Sequence, residues 1–331
     1  MKKVLLIEAA VLLILLLVAV VVCISLGSGD AVPAMQTDPV EITTTEPTEQ
    51  TTEATTEPQP TWMTFPESRA LLAQQYFVYD CQEEKFLTIS GGQSERIYPA
   101  SVTKLFTAYA AMQYLEPEEQ ITAGDELDQV VWGSSVAEIQ KGNVLSAELL
   151  VEAMLLPSGN DAAYVIAAAA GRKILSDESA SASAAISAFM THMNQKAQEL
   201  GMTGTHFANP DGIHSDEHYT TFADLAILGK LSLENPTVLK YAQVSKETVT
   251  LSQGAEPLEW KNTNALIDPE SEYYCPYAMG LKTGQTPRAG SCLLSAFDYE
   301  GRKLIIGVFG CPEVEDRFAD TLQLFTETIQ A

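Results

Sequence analysis

Apolar and polar positions divide the chain into three regimes. In the first, Val4 to Leu26 is apolar almost without interruption, Glu8 excepted, and Lys2 and Lys3 precede it. Such a run is long enough to cross a bilayer as a helix, and a charge near its end costs less than one at its centre. Cations before the span predict the N-terminus inside and everything after it outside. A cleaved signal peptide is the rival, but the apolar core is long for one. "AVPA" at positions 31–34 is also a poor cleavage site, because Pro33 stands beside the cut. Val22 precedes Cys23 where a lipid-modified cysteine would follow a small residue. Residues 1–29 are therefore read as a membrane anchor that stays attached.

The second regime, residues 30–61, contains "TTTEPTEQTTEATTEPQPT". It has too few apolar side chains to offset the entropy of ordering, so disorder is expected. Its charges repel and its prolines stiffen. At roughly 3.1 Å per residue it reaches on the order of 100 Å. It reads as a spacer between a membrane and a folded domain.

The third regime begins near Trp62, and its pattern alternates in period. Tyr76–Tyr79 and Lys85–Ile89 flank "DCQEE" and predict a hairpin. Val102, Leu105, Phe106, Tyr109 and Met112 fall on one helical face, and Pro117 closes that helix. Residues 146–170, 184–200 and 221–232 read as helices. Met279–Thr283, Ser291–Tyr299 and Lys303–Phe309 read as strands joined by glycine-containing turns. Strands, a block of helices, then strands again predict an α/β (α+β) domain over 62–331, a sheet interrupted by a helical insertion.

Composition narrows the function. A net charge of −25 argues against nucleic acid as a partner. Outside the first regime stand Cys81, Cys275, Cys292 and Cys311, which could pair as two disulfides in three ways or remain buried thiols. There is no CxxC. His214 and His218 flank Asp216, but "NPDGIHSDEHYTT" reads as loop, so no metal and no cofactor are expected.

The candidate chemistry lies in "PASVTKLF". Ser101 opens a helical run, yet Lys104 stands where a capping box would place Glu or Gln. A cation in a helix's first turn opposes the dipole. That same opposition pushes a lysine towards its neutral, basic form, and positions i and i+3 share a face. Lys104 can therefore activate Ser101 as a nucleophile. Two more clusters follow: Ser158-Gly159-Asn160 in "LLPSGNDAAYVIA", and Lys282-Thr283-Gly284 in "MGLKTGQTPRAGSCLLSA". Singly, they have ordinary accounts as a cap with a snorkelling lysine, a helix–helix turn and a bulged hairpin strand. Together, in this order and spacing, they point to one site.

From about residue 76 to 320, "YPASVTKLFTAYAAM", "SGNDAA", "NPDGIHSDEHYTTFADLA" and "GLKTGQTPRAG" resemble the D-alanyl-D-alanine carboxypeptidases, the low-molecular-mass penicillin-binding proteins. The resemblance implies their transpeptidase-like fold, shared with β-lactamases: a five-stranded antiparallel sheet flanked by helices with a helical insertion. It implies peptidoglycan stem peptides as substrate and β-lactams as covalent inhibitors. Ser101 would attack the bond between two D-alanines, Lys104 would take its proton, and Ser158 would pass a proton to the leaving D-alanine. Asn160 would hold the substrate amide, and Lys282, close to Lys104 and Ser158, would help keep Lys104 neutral. Thr283 of the Lys282-Thr283-Gly284 strand would bind the terminal carboxylate, helped by Arg317. The N–H groups of Ser101 and Gln285 would form the oxyanion hole. Asp211, Gly212 and His218 are landmarks that would shape the surroundings. Many relatives carry a C-terminal β-rich domain and a terminal amphipathic anchor. Both are expected to be absent here, the N-terminal span replacing the anchor.

Alternatives on the same motifs are an endopeptidase or a transpeptidase. A class A β-lactamase would need a separate glutamate, and a non-catalytic wall- or drug-binding module would need neither Ser101 nor Lys104. Trp132, Tyr273 and Tyr274 are rim or core candidates with no role assigned.

Overall fold

The computed structural model describes residues 70–252 and 256–331. The span read at 1–29 and the spacer at 30–61 lie outside the described residues, and no described helix is long and apolar enough to cross a membrane.

The hairpin forms as expected. Strands β1 (Gln75–Asp80) and β2 (Lys85–Ile89) are joined by a turn that Asp80 organises, its Oδ1 accepting the N–H groups of Gln82 and Glu83. Next comes helix α1 (Thr103–Ala111), then a ribbon of β3 (Gln120–Thr122) and β4 (Val144–Ser146). Helices α2 (Ala147–Leu155), α3 (Asn160–Leu175), α4 (Ala182–Glu199), α5 (Phe222–Glu234) and α6 (Pro236–Ala242) follow. Ser146, Ser181, Thr221 and Asn235 cap α2, α4, α5 and α6 with side-chain oxygens. A second ribbon, β5 (Lys246–Val249) and β6 (Leu258–Lys261), precedes the meander of β7 (Ala278–Thr286), β8 (Gly290–Tyr299) and β9 (Arg302–Cys311). Helix α7 (Asp316–Gln330) follows the meander.

The main sheet has five antiparallel strands in the order β2-β1-β9-β8-β7. The N-terminal hairpin joins the C-terminal meander through β1 and β9, and the helices α1 to α6 lie between them in sequence. Side chains alternate across the sheet. Leu304, Ile306 and Val308 of β9 meet Phe318, Leu322 and Phe325 of α7, while Ile305 and Phe309 face the larger core with Phe77, Phe106 and Phe222. Phe297 stacks on Phe325 with centroids 4.3 Å apart.

Three expectations need correction. The stretch 146–170 is not one helix but α2 and α3, broken at 156–159, with Ser158 at φ +63°. Helix α1 is not amphipathic: Thr103, Lys104 and Thr107 are as inaccessible as Leu105 and Phe106, because the helix is wrapped on all sides. Helix α7 is an addition to the expected elements, although Phe318, Leu322, Phe325 and Ile329 carry its period. The four cysteines after the spacer are free thiols. Cys292 packs in the core shared with α1 and Cys311 in the one under α7. Burial pushes the thiols of Cys275, Cys292 and Cys311 up to about 12.

Candidate active site

The approach to α1 is a short 3₁₀ turn, Ala100–Val102, with Ala100 at φ +48°. An L-residue there is strained. No side chain caps this turn, so Ser101 is not a helix cap. The surrounding backbone comes close. A Cβ on Gly212 would stand 2.0 Å from the Ala100 carbonyl oxygen, and one on Gly284 would stand 2.9 Å from Ala100 Cβ and 3.0 Å from Ser101 N. Only glycine lets the 208–218 segment and β7 close on the turn.

Lys104 follows one helical turn later and is fully inaccessible. Its Nζ lies 2.9 Å from Ser101 Oγ, 2.7 Å from Asn160 Oδ1 and 2.7 Å from the Asp211 carbonyl oxygen. Burial lowers its pKa to about 8, against the opposing fields of Asp211 and Asp161. Asn160 begins α3, and its N–H donates to Ser135 O at 2.8 Å. The neighbouring Asp161 carboxylate accepts the N–H groups of Ala137, Ile139 and Ala162, which ties the 133–139 loop to the start of α3.

On the opposite wall, β7 presents Lys282 and Thr283. Lys282 is buried and donates to Thr283 O at 3.1 Å and towards Thr263 Oγ1 at 3.5 Å. Burial, then the charges of Lys104 and Arg317, hold its pKa well below the ordinary lysine value. Thr263 Oγ1 and Thr283 Oγ1 are 2.5 Å apart. Arg317, at the start of α7, donates from Nη1 to Gly284 O at 3.3 Å. Burial pushes its pKa down to about 10. Arg317 Nε and Ser291 Oγ are buried with no protein partner among the described residues.

Ser101, Ser158, Asn160, Thr283, Gly284, Gln285 and Arg317 line one cleft of about 580 Å³, together with Ser134, Ser135, Thr263 and Ser291. No described carboxylate lines it, although the chain as a whole is strongly acidic. Lys104 and Lys282 reach it from behind, through Ser101 and Thr283. Lys282 bonds to Thr263 and Thr283, and Ser158 is not among its partners.

Thr263, Ser291 and the Asp211 carbonyl escape a reading of the sequence. A backbone carbonyl and two hydroxyls outside any charged pattern carry no signal of their own. His214 sits 3.5 Å from Asp216, and no group among the described residues could hold a metal ion. Trp132 is 98% exposed beside the cleft-lining Gly133. Tyr273 packs on Phe318 at 5.5 Å, and Tyr274 lies away from the cleft.

Comparison with known proteins agrees with this geometry. The family model of the peptidase S11 D-alanyl-D-alanine carboxypeptidases matches residues 61–313. The D-alanyl-D-alanine carboxypeptidase DacF of Bacillus subtilis is 30% identical over 240 residues, 70% of this chain and 56% of the relative. The chain thus spans little more than half of that relative's length. A D-alanyl-D-alanine endopeptidase of Haemophilus influenzae is 31% identical over 239 residues, 72% of this chain and 74% of its own. A solved point mutant of the Streptomyces K15 DD-transpeptidase superposes with a TM-score of 0.70 at 25% identity, covering 80% of this chain and 100% of that one. With three motif clusters gathered on one cleft and a family match over most of its length, this chain belongs to the D-alanyl-D-alanine carboxypeptidase family.

Proposed function

We propose that the chain is a serine-type D-alanyl-D-alanine carboxypeptidase that removes the terminal D-alanine from peptidoglycan stem peptides and is acylated by β-lactams. The observation that carries this reading is the set of partners around Lys104. Asn160 Oδ1 and the Asp211 carbonyl can only accept. A neutral amine gives its two hydrogens to them, which leaves its lone pair for the Ser101 hydroxyl 2.9 Å away. Burial favours that neutral form, against the fields of Asp211 and Asp161.

The roles follow. Ser101 Oγ attacks the carbonyl of the penultimate D-alanine while Lys104 takes its proton. The oxyanion forms against the N–H groups of Ser101 and Gln285. Ser158 passes a proton to the departing D-alanine nitrogen, and the C–N bond breaks to leave an ester on Ser101. Water then attacks the ester carbonyl, the bond to Ser101 Oγ breaks, the shortened peptide leaves as its carboxylic acid, and the proton lost by the water ends on Ser101 Oγ. Asn160 holds the substrate amide. The terminal carboxylate goes to the Arg317 end of the cleft, where Thr283, with Lys282 behind it, and Arg317 stand beside Ser291 Oγ, which has no protein partner among the described residues. Gly284 gives β7 its close approach to the Ser101 turn.

Residues 1–29 are proposed as the membrane anchor and 30–61 as the spacer. Together they would hold the catalytic domain, 62–331, outside the cell membrane. The test is release of D-alanine from a peptide ending in D-Ala-D-Ala, measured for the parent and for Ser101→Ala. Release by the parent alone supports the reading, and release by both contradicts it. A second reading, cleavage or formation of cross-links, is favoured by the names of the Haemophilus and Streptomyces relatives. Product analysis on cross-linked peptides separates the two.

A further inference from the structure

We infer that His218 and Thr103 are positioning residues that aim the Ser101 N–H, by holding the opposite end of its peptide unit. The inference rests on the acylation proposed above and adds to it two residues that never touch substrate.

The chain of bonds has a fixed direction. His218 is buried. Its Nδ1 accepts the Ala208 N–H at 3.2 Å, so Nδ1 carries no proton. A neutral imidazole then has its hydrogen on Nε2, which lies 2.8 Å from Thr103 Oγ1. The ring stays neutral because burial pushes its pKa down to about 3. Thr103 Oγ1 accepts from the ring and gives its own proton to the Ala100 carbonyl oxygen at 2.8 Å. In a trans peptide the C=O and N–H point in opposite directions. Fixing the oxygen of the Ala100–Ser101 unit on the His218 side therefore turns the Ser101 N–H the other way.

That peptide unit needs holding. Ala100 sits at φ +48°, a conformation an L-residue does not keep unaided. Gly212 backs the same carbonyl so closely that any side chain would strike it, and Gly284 of β7 lies against Ser101 N. Thr103 and His218 thus complete a clamp made of the 208–218 segment, the turn and β7. A hydroxyl at 103 acts here through its proton, while its methyl is packing.

The test measures acylation by benzylpenicillin at several drug concentrations, which separates the acylation rate constant from the dissociation constant of the complex before reaction. Thr103→Val keeps the shape and removes the hydroxyl. It is expected to lower the acylation rate constant roughly 10- to 100-fold with the dissociation constant within about threefold, since a misaimed oxyanion donor acts on the transition state. Thr103→Ser is expected to stay within about threefold of the parent. His218→Phe should fall about tenfold, and His218→Gln, whose amide can still donate, should recover part of the loss. Thermal unfolding of each variant is measured alongside. Parent-like acylation by both Thr103→Val and His218→Phe overturns the inference. So does a loss confined to the dissociation constant or the melting temperature, or one that Thr103→Ser does not restore. Should Thr103→Val not fold, the His218 pair decides alone by the same criteria. Absence of acylation in the parent would instead overturn the proposed function.

Discussion

Two helices pack against opposite faces of the same sheet and follow opposite rules. Helix α7 is amphipathic. Phe318, Leu322 and Phe325 meet the sheet, with Phe325 stacked on Phe297, and polar residues lie outward towards its end. Helix α1 is buried all round and places Thr103, Lys104 and Thr107 where a core would put apolar groups. A strained Ala100 precedes it, and two close-packed glycines press on its entry. The first helix is held by burial of apolar area. In the second, stability is given up so that a lysine can be neutral and a serine can be aimed.

The comparison can be broken from either side. The largest expected effect is from Lys104→Met. Benzylpenicillin acylation should fall by roughly 10³-fold or more, because the general base is gone. The fold should gain rather than lose. The native pKa of Lys104, about 8, is below the 10.5 of an ordinary lysine, so the native state binds fewer protons than the unfolded state between those values. Parent stability therefore rises with pH from about 8 to 10.5. The melting temperature of Lys104→Met should exceed the parent's at pH 7, and the advantage should shrink towards pH 10. A variant less stable than the parent at pH 7 would contradict this account of α1.

Phe325→Ala tests the other side. Removing a stacked, fully buried phenyl costs about 3–5 kcal/mol of stability, read by denaturant unfolding. Acylation per folded molecule should be unchanged. Gly284→Ala is expected to couple the two properties. Its Cβ would meet Ala100 Cβ at 2.9 Å and push β7 from the turn, slowing acylation by about tenfold with a small drop in melting temperature. Arg317→Gln should raise KM for a D-Ala-D-Ala peptide by about 10- to 100-fold through loss of a charge-assisted contact, with kcat less affected. A pH profile checks the base itself. With the base titrating near 8, acylation should rise about tenfold from pH 6 to 7 and level off above pH 8.

The same contrast explains what is legible in the sequence. Periodicity locates the β1–β2 hairpin and the β7–β9 meander, because each strand has one face on each core. It also locates α1, but not the burial of its polar positions Thr103, Lys104 and Thr107, which wrapping by other helices brings about. It joins α2 to α3 across the break, although Pro157 and Gly159 flank Ser158 there, because the apolar pattern resumes at once on the far side of that left-handed residue. The chemistry is legible where it is carried by charged side chains in tight motifs: Ser101 with Lys104, Ser158 with Asn160, Lys282 with Thr283. What escapes is carried by backbone or hydroxyls brought in from far along the chain. The Asp211 carbonyl on Lys104 is 107 residues away, and the Thr263 hydroxyl beside Thr283 has no motif around it. Helix α7 has a readable apolar period, but it follows directly on the polar run around Arg317, which obscures where it starts.

The central claim is that Lys104, its pKa lowered by burial, activates Ser101. It is tested most directly by intact mass after benzylpenicillin is added to the parent, Ser101→Ala and Lys104→Met, followed by mapping of the adduct. The account predicts one drug per parent molecule on the peptide containing Ser101, none on Ser101→Ala, and at most a trace on Lys104→Met over the same time. An adduct on Ser101→Ala, or a Lys104→Met variant acylated at the parent's rate, would contradict it.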